Sequence, residues 1–221
     1  MFEPSISQRI WHKIHLKTTK IRSYFKKKHL KCLDFTIISN NCWGGVTYEE
    51  YGLRKNSPTV GGYFFPKDYL RFVANLKEYL SKPLLLIPLS QSSHQKEIEE
   101  NGNADNIIGK IGDVEIVFVH YKNDQEVLDK WARRVKRINW NNLIFKFSLQ
   151  NGASLDDLQR FDDLKLPGKK LMFVNKPDME YKCGIYYPGF EDDQFVWNDT
   201  FYAHRYFDVT RFLNDGVIVQ K

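Results

Sequence analysis

At 221 residues, 42% of them hydrophobic and 15% aromatic, the chain is long enough to bury one sizeable core, and disorder is excluded over most of its length. The net charge of +6 is unevenly spread: residues 1–31 hold nine Lys/Arg and one acid, Glu3, whereas the remainder holds 24 basic and 26 acidic residues. That remainder is nearly neutral, which argues against a nucleic-acid-binding domain, and the chain divides into a basic arm over 1–31 and a single domain over 32–221. No run of 18 apolar residues is present, and Met1-Phe2-Glu3-Pro4 lacks the charged-then-apolar order of a secretory signal. Cys32, Cys42 and Cys183 are odd in number and widely spaced, which fits a reducing compartment and a cytoplasmic protein. No CxxC or His-rich cluster offers a metal site.

On a helix over 6–25, Ile6, Ile10, Trp11, Ile14, Ile21 and Phe25 share one arc, with most of the basic residues beside or opposite it. Such a basic amphipathic helix either lies on an anionic membrane surface or packs its stripe on the domain. Asp34–Ser39 reads as a short strand. It ends in the polar, glycine-bearing turn Asn40-Asn41-Cys42-Trp43-Gly44-Gly45, and a helix over Val46–Leu53 follows. Thr59–Phe65 is a second candidate strand. Pro66 opens a helix whose apolar positions, from Tyr69 to Leu80, recur at helical spacing until Ser81. The apolar run Leu84–Leu89 predicts a strand buried on both faces, and residues 90–112 read as a long loop with a helical turn at Gln95–Glu100.

Val114–Tyr121 predicts a strand. Asn123 and Glu126 cap the next helix, which runs to about Ile138 with Val127, Leu128, Trp131 and Val135 inward and Lys130, Arg133, Arg134, Lys136 and Arg137 crowding its other side. A strand over Leu143–Leu149, a helix opened by Ser154 and Asp157, and a strand over Lys170–Val174 follow. A last helix covers Asp208–Leu213. This order predicts an α/β domain with a mostly parallel sheet and helices on its faces.

Five segments in this order, IISNNCWGG, SPTVGGYFFPKDYLRFVANLKEYL, GDVEIVFVHY, KWARRVKRINWNNLIF and YFDVTRFLN, resemble the bacterial domain-of-unknown-function family nineteen-nineteen. The resemblance covers about residues 34–216 and leaves the arm outside. It implies a Rossmann-like three-layer α/β sandwich and a place in exopolysaccharide biosynthesis, and it leaves the reaction open.

In open α/β sheets ligands bind beyond the C-terminal ends of the strands. The first strand ends at Asn40, Asn41 and Cys42, where Gly44 and Gly45 permit close backbone approach and the following helix N-terminus offers N–H groups to an anion. With neither GxGxxG nor a Walker motif, this is a weak phosphate signature. Cys42 is a candidate nucleophile with a lowered pKa, although free cysteines are mostly buried apolar fillers. Trp43 is a platform, lid or core residue. His120, at the end of another strand, is a candidate general base or acid, and His94 is a weaker one. Arg134 and Arg137 are candidates to hold phosphate or carboxylate.

Two functional classes follow. One is a transferase acting on a surface-glycan precursor, with acyl transfer ahead of glycosyl transfer because no DxD-type acidic motif stands out, and with a coenzyme A thioester or a nucleotide sugar as donor. The other is a non-catalytic accessory protein, docked to the inner face of the membrane by its arm, that binds a sugar nucleotide or a partner.

Overall fold

The computed structural model describes residues 18–196 and 199–221, so Ile6, Ile10, Trp11 and Ile14 of the amphipathic stripe lie outside the described residues. Helix α1 is described over residues 18–28. The rest of the fold is built on two four-stranded sheets. This corrects the expectation of one mostly parallel sheet: the structure is mixed α/β, with one wholly parallel and one wholly antiparallel sheet.

The parallel sheet has the order β1 (Thr36–Ser39), β6 (Leu143–Ser148), β7 (Gly168–Val174) and β8 (Gly184–Tyr186). Helices cover it on both faces, which is why β1 and β6 are buried throughout. Side chains alternate across it. On one face Phe147 stacks on Tyr69 of α3 (Pro66–Ala74) at 5.6 Å between ring centroids and on Phe161 of α7 (Leu155–Asp163) at 5.2 Å. On the other face Phe173 meets Trp43 of α2 (Trp43–Glu50) at 6.0 Å, and Phe207, which follows α8 (Asp199–Tyr206), at 5.8 Å. The predicted caps are present. Asn123 accepts a hydrogen bond from the Glu126 N–H at the start of α6 (Asp124–Val135), and Ser154 and Asp157 form a capping box on α7. These bonds satisfy backbone donors that a helix start leaves open.

The antiparallel sheet has the order β2 (Gly62–Tyr63), β5 (Val114–Phe118), β4 (Ile107–Ile111) and β3 (Leu85–Ile87). Strand β4 lies inside the stretch read as loop, where the helical turn expected at Gln95–Glu100 is present as α5 (Gln95–Glu100), and a 3₁₀ turn over Leu89–Gln91 precedes it. The run at 84–89 is not a doubly buried strand: β3 is an edge strand and Leu85 is 58% exposed. The helix predicted from Pro66 to Ser81 is broken at Asn75 into α3 and α4 (Leu76–Ser81), because Asn75 leaves helical geometry at φ −129° and ψ 40°. Leu128 is exposed, not inward; α6 seats instead on Val127 and Trp131, whose ring meets Phe118 edge-on at 6.1 Å. The chain closes with α9 (Val209–Asp215), ended by Gly216 at φ 74°.

The two sheets meet where β1 ends. The Phe64 N–H just past β2 donates to the Asn40 carbonyl at 3.0 Å, and the Val119 N–H donates to the Gly61 carbonyl at 2.9 Å. The turn after β1 and the end of β5 are thereby brought to one place.

Candidate functional site

A cleft of about 370 Å³ opens at that junction. One wall comes from the β1 turn and α2, with Cys42, Gly45 and Glu49, and Lys55 stands beyond them. Val60 and Gly61 form its base. The opposite wall carries His120 and Tyr121 from the end of β5, and Lys130 and Arg134 from α6. Gly61 sits at φ +86°, and a Cβ there would lie 2.8 Å from a Tyr121 ring carbon, so glycine is required on both counts. Arg134 is buried and fixed, donating to the Val60 carbonyl at 3.0 Å and to the Tyr121 hydroxyl at 2.6 Å. Lys55 pairs with Glu49 at 2.5 Å and Lys130 with Glu126 at 2.6 Å. Three cations therefore line the cleft against one lining carboxylate, Glu49. Nearby, the exposed Arg54 and Arg133 crowd Arg137. Partial desolvation, and then the like charge of Arg54, Arg133 and Arg134, hold Arg137 below its usual range. Among the described residues the guanidinium groups of Arg54, Arg133 and Arg137 have no carboxylate partner.

Behind the Cys42 wall lies a charged network closed to solvent. Lys146 on β6 is fully buried and donates to Asp199 at 2.5 Å and to the Asn41 side-chain carbonyl at 2.8 Å. The Asn41 amide in turn donates to both Asp199 oxygens at 2.9 and 3.1 Å and to Gln150 at 2.8 Å. The Asn41 carbonyl oxygen also takes the Trp43 N–H at 3.1 Å, so the start of α2 is satisfied from inside. Burial pulls the Lys146 ammonium below its ordinary value, and the Asp199 carboxylate opposes that shift. The same setting acts on Cys42. Burial, then the Asp199 charge, push its thiol up to about 11 against the smaller pull of Lys146 and Lys55. The expected lowering of the Cys42 pKa is thus reversed: at neutral pH the group is a thiol.

A family model described as domain of unknown function (DUF1919) matches residues 13–214. The chain belongs to this family. The match begins inside the basic segment, earlier than the segment resemblance alone indicated. An uncharacterized protein of Haemophilus influenzae is 32% identical over 187 residues, covering 81% of this chain and 84% of that protein.

Of the residues singled out in the sequence, the structure brings Cys42, Gly45, His120 and Arg134 to one cleft. Arg137 stands with Arg54 and Arg133 outside the lining. Asn40, Asn41, Trp43 and Gly44 are buried and do not line it. Asn40 and Asn41 serve the network behind, Trp43 is core, and a Cβ on Gly44 would lie 3.0 Å from Ile37, so that glycine answers helix-on-strand packing. His94 lies elsewhere. Its imidazole meets buried Asp68 at 2.9 Å and stacks on Phe65 at 4.0 Å, fastening the loop before α5 to α3. Lys146, Asp199 and Lys55 were not signalled by any motif. For Lys146 the available signal was a lone lysine inside the apolar run Leu143–Leu149.

Chemically, the cleft can hold an anion on fixed cations, with an exposed imidazole at its wall for proton transfer. A larger groove of about 460 Å³ lies at the other end of the parallel sheet, where Leu76, Trp140, Leu143 and Pro167 line it. It is mainly apolar, and neither His120 nor Cys42 belongs to it. Among the described residues no three His, Cys, Asp or Glu side chains gather as a metal site.

Proposed function

We propose that this chain is a surface-glycan assembly protein that holds the anionic, phosphate-bearing part of an activated donor in the cleft between β1 and α6. The observation carrying this reading is the concentration of cations there: Lys55, Lys130 and Arg134 on the lining, with Arg54, Arg133 and Arg137 free of carboxylate partners nearby among the described residues. Guanidinium groups recognise phosphate and carboxylate by paired hydrogen bonds. The exopolysaccharide pathway rests on the family resemblance, and a cytoplasmic site of action fits a donor with phosphates. Helices on both faces of the parallel sheet, with the cleft beyond the end of β1, support the Rossmann-like three-layer reading of that half of the fold.

The chemistry we favour is acyl transfer from a coenzyme A thioester. A hydroxyl of the glycan precursor attacks the thioester carbon while His120 takes its proton, and the coenzyme A thiolate departs and receives that proton. With burial pushing its thiol up to about 11, Cys42 is a weak nucleophile at neutral pH, and we assign it to the wall of the cleft and not to an acyl intermediate. The same cation-lined cleft supports a second reading, a non-catalytic accessory protein that binds a sugar nucleotide.

Thermal-shift screening of the full chain against coenzyme A thioesters and nucleotide sugars separates these. A selective rise with one donor class, lost in Lys55→Ala/Lys130→Ala, is the expected result. No rise with any phosphate-bearing donor overturns the cleft assignment. With an acyl donor identified, His120→Ala is expected to lose transfer and keep donor binding, and unchanged transfer in that variant removes His120 from the mechanism.

A further inference from the structure

Helix α1 is turned inside out relative to an ordinary surface helix. At 100° per residue, Thr19, Arg22, Ser23 and Lys26 form one face, and Leu30 follows the end of the helix. That face looks inward. Ser23 is buried, Thr19, Arg22 and Lys26 gather around Glu50 of α2, the Lys26–Glu50 ion pair is 2.7 Å long, and Leu30 packs on the core. The opposite face carries Ile21, Tyr24 and Phe25, which are 66%, 57% and 57% exposed. A helix normally puts its apolar stripe on the core and its polar residues in water, because burial of apolar surface is the main gain. Here the polar face makes the contact and three large apolar side chains stand in solvent. Lys20 and Lys27 flank the apolar face, and Lys28 lies over the Tyr24 ring at 4.3 Å. Residues 18–31 hold six Lys/Arg and no acid.

We propose that this face of α1 docks on an anionic lipid surface. The chemistry is that of an interfacial helix: aliphatic and aromatic side chains enter the headgroup–acyl boundary, and the flanking lysines keep their ammonium groups at the phosphates. Charge complementarity selects this partner. A second copy of the chain would set two strongly basic faces against each other. The inference stands on α1 alone: it survives a cleft that binds no donor, and its failure leaves the cleft unaffected.

The full chain is tested by co-sedimentation with vesicles of phosphatidylcholine alone and of equal parts phosphatidylcholine and phosphatidylglycerol. Binding is expected to the anionic vesicles only, and to weaken as salt rises. Ile21→Glu/Phe25→Glu should lower the partition coefficient at least roughly tenfold, from the apolar area withheld from the interface. Leu155→Glu, at an equally exposed position on α7, should leave it unchanged. If the double variant melts early, Lys20→Glu/Lys27→Glu carries the test, with the same loss expected. Equal binding to neutral vesicles, no binding to anionic ones, or binding unchanged in these variants overturns the proposal. So does a dimer of the wild-type chain that Ile21→Glu/Phe25→Glu dissolves, which would assign the face to a second copy.

Discussion

Lys146→Met isolates the buried network behind the cleft. The substitution keeps an unbranched stem of similar reach and deletes the charge. Asp199, fully buried, then loses its 2.5 Å partner and retains the Asn41 amide at 2.9 and 3.1 Å and the Thr200 hydroxyl at 3.3 Å. Breaking a buried ion pair by removing one partner costs about 3–5 kcal/mol, most of it the stranded charge. Asp199 lies in the first turn of α8, where the helix dipole favours an anion, so the lower end applies, about 3 kcal/mol. At about 2–4 °C per kcal/mol for a chain of this size, the melting temperature should fall by roughly 6–12 °C. Adding Asp199→Asn removes the stranded charge and leaves the carbonyl that receives the Asn41 amide. The double variant should therefore be more stable than Lys146→Met alone, by about 1–2 kcal/mol. Urea denaturation of wild type, both single variants and the double variant gives the coupling directly. Additive losses, or a Lys146→Met variant as stable as wild type, would refute the claim that Lys146 and Asp199 stabilise each other as charges.

Four further outcomes are expected. Iodoacetamide at neutral pH should label exposed Cys32 well before Cys42, whose labelling rate should climb steeply as pH rises towards 11, followed by peptide mass spectrometry. Because the folded state holds the Cys42 pKa above its ordinary 9.0, ionisation favours unfolding, and wild type should lose stability relative to Cys42→Ser as pH rises from 9.0 towards 11. Asp68 is the opposite case: burial would raise its pKa, but hydrogen bonds from His94, Arg71 and the Glu115 N–H overcome burial and lower it. Its stabilisation is present above the ordinary carboxylate value and fades as pH falls through the folded one, so the destabilisation of Asp68→Asn seen in urea at neutral pH should shrink in acid. Gly61→Ala should cost about 1–3 kcal/mol by calorimetry, since it combines a left-handed φ with the Tyr121 clash.

The parts of this fold that follow local rules were legible. The caps at Asn123 and Ser154 are one-turn events, and the strands at 36–39, 114–118 and 143–148 announce themselves by apolar runs. The antiparallel sheet was legible only in part: β3 falls in the apolar run read as a strand, but β4 is a short piece within a polar stretch, and its pairing with β3 and β5 leaves no local mark. Convergence of Cys42 and His120 was inferred from the rule that ligand sites lie at strand ends, and they do line one cleft. The two residues belong to different sheets, however, and what joins them is the edge contact of β1 with the segment after β2.

The charged network and the facing of α1 eluded the sequence for one shared reason: each depends on which way a side chain points. Alternation along β6 sets Lys146 on the face opposite Phe145 and Phe147, and in a sheet with one wet face that lysine would be solvated. Only the cover of α2 and α8 makes it interior, and its partner Asp199 stands 53 residues further on. In α1 the periodicity identifies an apolar stripe but not its direction. Direction is decided by Glu50, one carboxylate on a neighbouring helix that draws the polar side of α1 inward through Lys26 and leaves Ile21 and Phe25 outward. An exposed ion pair alone would be too weak to turn a helix. Lys26 and Glu50 are only 23% and 11% exposed, and Ser23 and Leu30 add packed contacts on the same side. The orientation of α1 over residues 18–28 is therefore set by the domain surface.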